Sequence, residues 1–458
     1  MAHAAGGSYP ALSMRSRALI AACLASLCLL AVHVGAQEPP APLLVIVSVD
    51  GLRPDYVTAA DRRGSRIPAL RRLLTDGAFA EGVEGVIPTV TYPSHTTLLT
   101  GVWPARHGIL SNTLFEPQRT GERSWYWYAE EIRVPTLWDA AAKAGWKTAS
   151  VSWPVSVGAR VDWNIPEFWH TGGPDDARLL RLVSTPGLLA EMEADLGSYP
   201  RALDVEADEA RGKFATWLLE RKRPSLLTLH LIALDHEQHQ SGPGSAPTLA
   251  VLERLDAIVG GLRATADRLA PGRAWLAIVS DHGFAPVEHQ LNLMAAFRTA
   301  GLVTLERGRV TDWRAMPWNA GGSSAIVLRD PSDEATRAKV RELLDGLAAD
   351  PANGIDRVLD ADALHARGGF PPASFLVGLK PGWQTAAGST GPVVTAGRGG
   401  AHGHLPDVAE LRAAFFLVGA GVPAARALGI VDMRDIAPTL AARAGLVLTS
   451  ADGKNLLP

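Results

Sequence analysis

Four sets of acidic and imidazole side chains stand out along the 458 residues: Asp50, Asp235 with His239, Asp281 with His282, and His402 with His404. Carboxylates mixed with imidazoles are ligands for a divalent cation. Zn2+ suits them, and Mn2+ or Fe2+ also fit these ligand types. The Asp-x-x-x-His spacing puts Asp235 and His239 on one face if that segment is helical, so the pair can chelate one ion. Taken singly each set is weak, because an Asp after a strand more often caps a helix or turns the chain. One further residue could react. Thr91 lies in Pro88-Thr89-Val90-Thr91-Tyr92-Pro93-Ser94-His95, where Pro93 suits an early helical position and Thr97-Leu98-Leu99 opens an apolar helical face. Its hydroxyl would then sit at a helix N-terminus, where free amides and the dipole favour an anion. A threonine hydroxyl is a poor nucleophile at neutral pH, and a cation that stabilises the alkoxide changes that. By itself, Thr91 would read as a helix cap.

The elements that must position these residues show in the hydrophobic pattern. Continuous, β-branched apolar runs at Leu43–Val49, Thr148–Trp153, Ser225–Ala233, Ala274–Ser280 and Ala413–Gly419 read as buried parallel strands. Helical patterns lie between them, around Val134–Ala144, Ala207–Arg221 and Leu249–Leu269. This alternation predicts an α/β fold, a mainly parallel sheet with helices on both faces. In such sheets functional side chains collect just beyond the carboxyl ends of the strands. Asp50 follows Val49, Asp235 and His239 follow the Ser225–Ala233 run, and Asp281-His282 follow Ser280. Three such groups at equivalent strand ends are hard to assign to capping. Between 284 and 400 the pattern changes: Ser323–Leu328 reads as a strand, Ser332–Leu347 as a helix and Ser374–Leu379 as a strand. The expected organisation is a catalytic core over 37–283 and 401–458, with a smaller α/β subdomain inserted at 284–400.

Net charge is −3 and no long basic run occurs, which argues against a binder of nucleic-acid duplexes. Arg15 and Arg17 precede an apolar stretch, Ala18 to Val34, and the small residues Gly35-Ala36. Residues 1–36 therefore read as a secretory signal peptide, with Met14 a candidate start, and the apolar stretch is short for a membrane anchor. Both cysteines, Cys23 and Cys28, fall inside it, so the mature chain is expected to lack disulfides and to be periplasmic or secreted, compatible with a Gram-negative periplasm. No second apolar run approaches the length of a membrane span.

Several segments carry a resemblance. Val47-Ser48-Val49-Asp50-Gly51-Leu52-Arg53-Pro54-Asp55, the Pro88–His95 segment, Thr100-Gly101-x-x-Pro104-x-x-His107-Gly108-Ile109, Asp281-His282-Gly283 and Asp435-Ile436-Ala437-Pro438-Thr439-Leu440 resemble the nucleotide pyrophosphatase/phosphodiesterases, in that family's order and over nearly all of the mature chain. These belong to the alkaline phosphatase superfamily. The resemblance implies an alkaline-phosphatase-like core with two Zn2+ ions about 4 Å apart. It places one on Asp235, His239 and His402, and the other on Asp50, Asp281, His282 and the Thr91 hydroxyl. It further implies in-line attack by Thr91 on a small-molecule phosphate diester or pyrophosphate, a covalent threonine intermediate, and Asn112 as the group that binds a non-bridging phosphate oxygen. His402 rather than His404 is the matched ligand, and the role of His404 is open.

Neighbouring chemistries can be compared on the same residues. Sulfatases of the superfamily need a convertible Cys or Ser followed by an Arg, and Thr91-Tyr92-Pro93-Ser94-His95 has neither in place. Monoesterases carry basic residues to meet a second phosphate charge, whereas Ser150–Val155 holds none before Arg160. A phosphomonoesterase or phosphonate hydrolase is thus the rival enzyme. An inactive metal-stabilised protein that binds nucleotides or lipid head groups is the rival of another class. His230 stands where nucleotide-cleaving relatives have an aromatic residue, five positions before Asp235. Seven tryptophans fall between Trp125 and Trp169; some could stack on a planar leaving group, and most are expected to pack the core and a lid. His95, His107, His170 and His289 are expected to be structural or to support the ligands.

Overall fold

The alternation of side chains along one strand explains most of the architecture. In Leu43–Val49 every residue is buried. Val45, Val47 and Val49 pack into an apolar cluster with Leu70, Leu73, Phe214, Leu218, Leu252 and Leu255. Leu44 and Ile46 pack into another with Leu98, Leu99, Trp138, Ile436 and Leu440. A strand covered on both faces must be apolar throughout, and each such side chain contributes about 2 kcal/mol by leaving water.

A computed structural model describes residues 1, 3, 4, 6, 7, 41–117, 124–169 and 173–458. The apolar leader, Cys23 and Cys28 and His170 lie outside the described residues. The strand Leu43–Val49 is central in an eight-stranded sheet. The order is Arg426–Ala427, Ala78–Phe79, Phe415–Gly419, Ala274–Val279, Leu43–Val49, Leu226–Leu231, Thr148–Val151 and Trp163–Ile165. The five strands from Ala274–Val279 to Trp163–Ile165 are mutually parallel. Phe415–Gly419 runs antiparallel to Ala274–Val279, so the return to the sheet after residue 401 reverses direction. The architecture is the expected mainly parallel α/β fold with helices on both faces.

Helix starts follow local capping chemistry. Val205–Arg221 begins earlier than the apolar pattern suggests because the Asp204 side chain accepts from the Ala207 amide. Ala246–Leu269 starts after Ser245, whose hydroxyl accepts from the Thr248 amide, with Pro247 in the first turn. Leu137–Lys143 starts later than expected, because Thr136 and Asp139 close a reciprocal capping box.

Within 284–400 a second sheet of four antiparallel strands forms, in the order Ala315–Asn319, Ser323–Leu328, Phe375–Leu379 and Ile355–Asp360. With helices Leu293–Thr299 and Glu334–Ala349 it encloses its own apolar cluster, including Phe297, Ile326, Leu344 and Val377. The short hairpin Val303–Glu306/Arg309–Trp313 and the strands Ala315–Asn319 and Ile355–Asp360 have no strong apolar run and were not legible in the pattern. Among the described residues, no helix is long and apolar enough to cross a membrane.

Candidate metal centre and nucleophile

Strand register brings the separate acids together. Val49 pairs with Leu231 and Ser48 with Val279, so the three strands end level and deliver Asp50, Asp281 and, one helical turn further, Asp235 to one place. Asp235 and His239 lie on the helix Ala233–Ser241, with His239 Nε2 3.5 Å from Asp235 Oδ1, as the i, i+4 spacing requires. His402 follows the strand Gly400–Ala401, which pairs with Ala285–Pro286 at the start of the inserted region. Its Nε2 lies 3.7 Å from Asp235 Oδ1.

The hydrogen bonds leave a specific set of atoms free. His239 donates Nδ1–H to the Gly400 carbonyl at 3.0 Å, His282 to Gly283 at 3.1 Å and His402 to Thr89 at 3.2 Å. In each ring, when neutral, the carbonyl fixes the tautomer and leaves Nε2 with the lone pair that a cation would take. One Asp281 oxygen accepts from the Gly51 amide at 3.2 Å, and one Asp50 oxygen is bonded to His230 at 2.9 Å. The other oxygens, Asp50 Oδ1 and Asp281 Oδ2, with Asp235 Oδ1 and His282 Nε2, are buried without a hydrogen-bond partner. Buried polar atoms are rarely left so.

These free atoms converge. Asp50, Asp281 and His282 offer ligand atoms within 4.8 Å of one another, and so do Asp235, His282 and His402. The His282 ring is within reach of both groups, stacked on His402. His239 stays beside Asp235, but its side chain is 42% exposed. The structure thus gathers all six residues in one region and draws His282 toward both groups. The donor chemistry fits divalent cations: Asp50 and Asp281 each have one bonded and one free oxygen, Asp235 Oδ1 is free, and the imidazoles are oriented for Nε2 ligation.

Electrostatics agree with that reading. Burial, then the Asp281 and Asp235 carboxylates, raise the Asp50 pKa well above its ordinary value. For Asp281 burial acts the same way, but His282 and His95 outweigh it and hold the acid low. Burial disfavours charge on His282, yet Asp281 and Asp50 push it up to about 9. His402 goes the other way, lowered by burial and then by His282 and His239. Acids packed this closely call for compensating positive charge, which a divalent cation bound here would supply.

Thr91 is the first residue of the helix Thr91–Thr100. Val90, not Thr91, is the N-cap, and it makes no side-chain cap bond. The flanking contacts tie this helix start to the cluster. The Thr89 carbonyl accepts from His402, and the Thr91 carbonyl accepts from His95 Nδ1 at 2.8 Å. The same His95 nitrogen lies 3.7 Å from Asp281 Oδ2, while Nε2 meets the Ser48 hydroxyl at 2.8 Å. Asn112 accepts the Tyr92 amide at 2.9 Å through its carbonyl oxygen, which leaves its NH2 to donate elsewhere.

Other residues left open by the sequence now have surroundings. His404 is buried in the seam with the inserted region: Nε2 meets the Trp383 carbonyl at 2.9 Å, and its own carbonyl accepts from the Thr89 hydroxyl. His107 is fully buried beside Thr97, and His289 stacks on Trp383. Trp138 and Trp153 are core residues, whereas Trp125 stacks on Trp127 and both meet Trp169 beside Tyr92. Sequence reasoning missed Glu167, a buried acid in Pro166-Glu167-Phe168-Trp169 whose apolar neighbours were the available signal. A cavity of about 350 Å3, lined by Glu167, Ser152, Trp169, Tyr199 and Arg211 among others, touches none of the six ligand candidates.

Residues 44–404 match the family described as type I phosphodiesterase / nucleotide pyrophosphatase. Human ectonucleotide pyrophosphatase/phosphodiesterase family member 1 is 26% identical over 263 residues, covering 54% of this chain and 24% of the human protein. Venom phosphodiesterase 2 of Crotalus adamanteus is 25% identical over 278 residues, 57% of this chain and 30% of the venom enzyme. The chain therefore spans only about a quarter to a third of these curated relatives. Among solved structures, an inactive form of murine ectonucleotide pyrophosphatase / phosphodiesterase 5 in complex with AMP superposes with a TM-score of 0.65 at 19% identity, covering 92% of this chain and 99% of that one. The human counterpart gives 0.64 at 20%, covering 91% and 98%. At that identity the likeness speaks for the fold.

Proposed function

Because the chain belongs to the type I phosphodiesterase / nucleotide pyrophosphatase family, we propose that it is an exported two-zinc hydrolase that cleaves nucleotide-type phosphodiester or pyrophosphate bonds through Thr91. The observation that carries this reading is the set of buried, orphaned ligand atoms on Asp50, Asp235, Asp281 and His282, with Asp281 lying 3.7 Å from His95 of the helix that begins with Thr91. Asp235, His239 and His402 would hold one cation and Asp50, Asp281 and His282 the other. When bound, the pair supplies the positive charge that stabilises an alkoxide at Thr91 and the oxygen that leaves.

The chain's own residues do the rest. Thr91 Oγ attacks phosphorus in line and gives its proton to solvent, the bond to the leaving oxygen breaks and that oxygen takes a proton from water. The phosphoryl group, still carrying its other ester substituent, stays on threonine until water hydrolyses that bond and releases it as a monoester. The Asn112 NH2, freed because its carbonyl holds the Tyr92 amide, donates to a non-bridging oxygen. The Thr91 amide, at the start of the same helix, adds to that charge stabilisation, since Tyr92 N–H is held by Asn112, Pro93 has no N–H and Ser94 N–H donates to Val90. Among the described residues, the ionic partners of Asp50, Asp235 and Asp281 are all histidines. No Lys or Arg meets a second phosphate charge there, which supports diesters over monoesters. The leader-like residues 1–36 support export.

The test is the rate on a nitrophenyl nucleotide diester beside nitrophenyl phosphate, with metal analysis of the same sample. We expect the diester to be preferred and about two zinc ions per chain. A preference for the monoester would instead favour a phosphomonoesterase, and no turnover with metal bound would favour a binding protein.

A further inference from the structure

A second buried polar chain begins at the metal centre and leads away from it. Ser48 pairs with His230 in the sheet, which sets His230 beside the end of the Leu43–Val49 strand and so beside Asp50. His230 Nε2 lies 2.9 Å from Asp50 Oδ2, and Nδ1 lies 2.7 Å from Glu167 Oε2. The remaining Glu167 oxygen accepts the Tyr92 hydroxyl at 2.9 Å. Ser152 holds a left-handed φ of 54° and presents its carbonyl to the same His230 nitrogen at 3.2 Å. A non-glycine residue in that region is strained, and such strain gathers at sites where geometry matters. Tyr92, Glu167, His230 and Asp50 are each at most 4% exposed.

Two features separate this chain from a chance core network. It ends on a ligand candidate and consumes one of that ligand's two oxygens, leaving Oδ1 alone to face His282 Nε2 at 3.5 Å. Its other end is the residue bonded through the backbone to Thr91, whose amide also holds Asn112. The chain therefore joins an acid of one ion's ligand set to the nucleophile expected at that same ion. A carboxylate without such a clamp can rotate and present both oxygens, and outer partners of metal ligands commonly fix this choice.

We propose that His230 and Glu167 are positioning residues that hold Asp50 as a one-oxygen metal ligand and, through Tyr92, set its place relative to Thr91 and Asn112. The inference rests on the two-metal reading above. The relay acts only through Asp50 and the Thr91–Tyr92 peptide.

The test uses the full mature chain loaded with Co2+, whose visible absorption reports coordination. Tyr92→Phe removes the outermost link and Glu167→Gln the middle one, with Thr439→Val, which loses a buried hydrogen bond to the Asp435 carbonyl at 2.6 Å and touches no member of the relay, as the control. The wild type should bind two Co2+ ions. Tyr92→Phe and Glu167→Gln should shift the visible band and weaken one ion about 10- to 100-fold in competition with a chelator. On the diester, kcat should fall with KM little changed. Thr439→Val should leave the band and both affinities as in the wild type. Wild-type bands and affinities in Tyr92→Phe and Glu167→Gln would overturn the relay alone, as would an equal shift in Thr439→Val, which would mean general loosening. A wild type that binds no Co2+ would overturn the two-metal reading itself.

Discussion

The imidazole rings of His282 and His402 lie face to face, their centroids 3.7 Å apart and their planes 8° from parallel. One ring follows the central strand Ala274–Val279 and the other arrives from the far side of the inserted region. Stacking fixes the two ligand candidates against each other, and each ring's partner carbonyl turns Nε2 toward the acids. If the proposed cations are bound there, their charge offsets the crowded carboxylates.

Removing metal should therefore destabilise the fold. At a metal concentration one hundred times Kd, binding contributes about 2.7 kcal/mol. Treatment with a strong chelator should lower the thermal midpoint, and adding Zn2+ back should restore it. An unchanged midpoint after verified metal loss would count against the site.

Thr91→Ala deletes the attacking oxygen and little else. Turnover of the diester should drop at least about a thousandfold while zinc content stays near the wild-type value. Asn112→Ala should lower kcat about a hundredfold, the usual size of one lost donor to a charged oxygen. Near-normal turnover by Thr91→Ala would refute a covalent role for the hydroxyl.

Gly403 stands between His402 and His404 with φ of 87°, and a Cβ there would fall 1.7 Å from the Ala320 carbonyl. The adjacent Gly322 amide donates to the His402 carbonyl at 2.7 Å, so the turn of the inserted sheet holds the ligand loop. Gly403→Ala should cost about 2 kcal/mol or more in urea unfolding and release zinc at lower chelator concentration than the wild type. Retained stability and affinity together would show that the loop is not clamped there.

His107 gives a pH prediction away from the metal. It is fully buried, its Nδ1 accepts from the Ile109 amide at 3.1 Å, and Nε2 meets the Thr97 hydroxyl at 3.1 Å. Burial lowers its pKa to about 3, against 6.5 in the unfolded chain. The unfolded state then binds the extra proton between those values. The contribution to stability is complete above about pH 6.5 and is lost as pH falls toward 3. From pH 7 to 5 the loss is about 2 kcal/mol from this group. His107→Gln should flatten that part of the urea-midpoint profile, and an unchanged slope would mean that His107 does not set it.

Five main strands of the large sheet, the long helices between them, the placing of Asp50 and Asp281 just after strand ends and the helix start near Thr91 were legible in the residues. Each is a local property. A doubly covered strand must be apolar along its whole length, as in Leu43–Val49, and a ligand must follow such a strand within a turn, as Asp50 and Asp281 do. What the chain could not show locally depends on contacts between distant segments. The reversed direction of Phe415–Gly419 is set by its pairing with Ala274–Val279. The stacking of His282 on His402 depends on the pairing of Gly400–Ala401 with Ala285–Pro286. Glu167 and His230 lie 63 positions apart, and His230 and Asp50 lie 180 apart. A buried acid's partner is chosen by strand register and side-chain direction, and neither exists before the chain has folded.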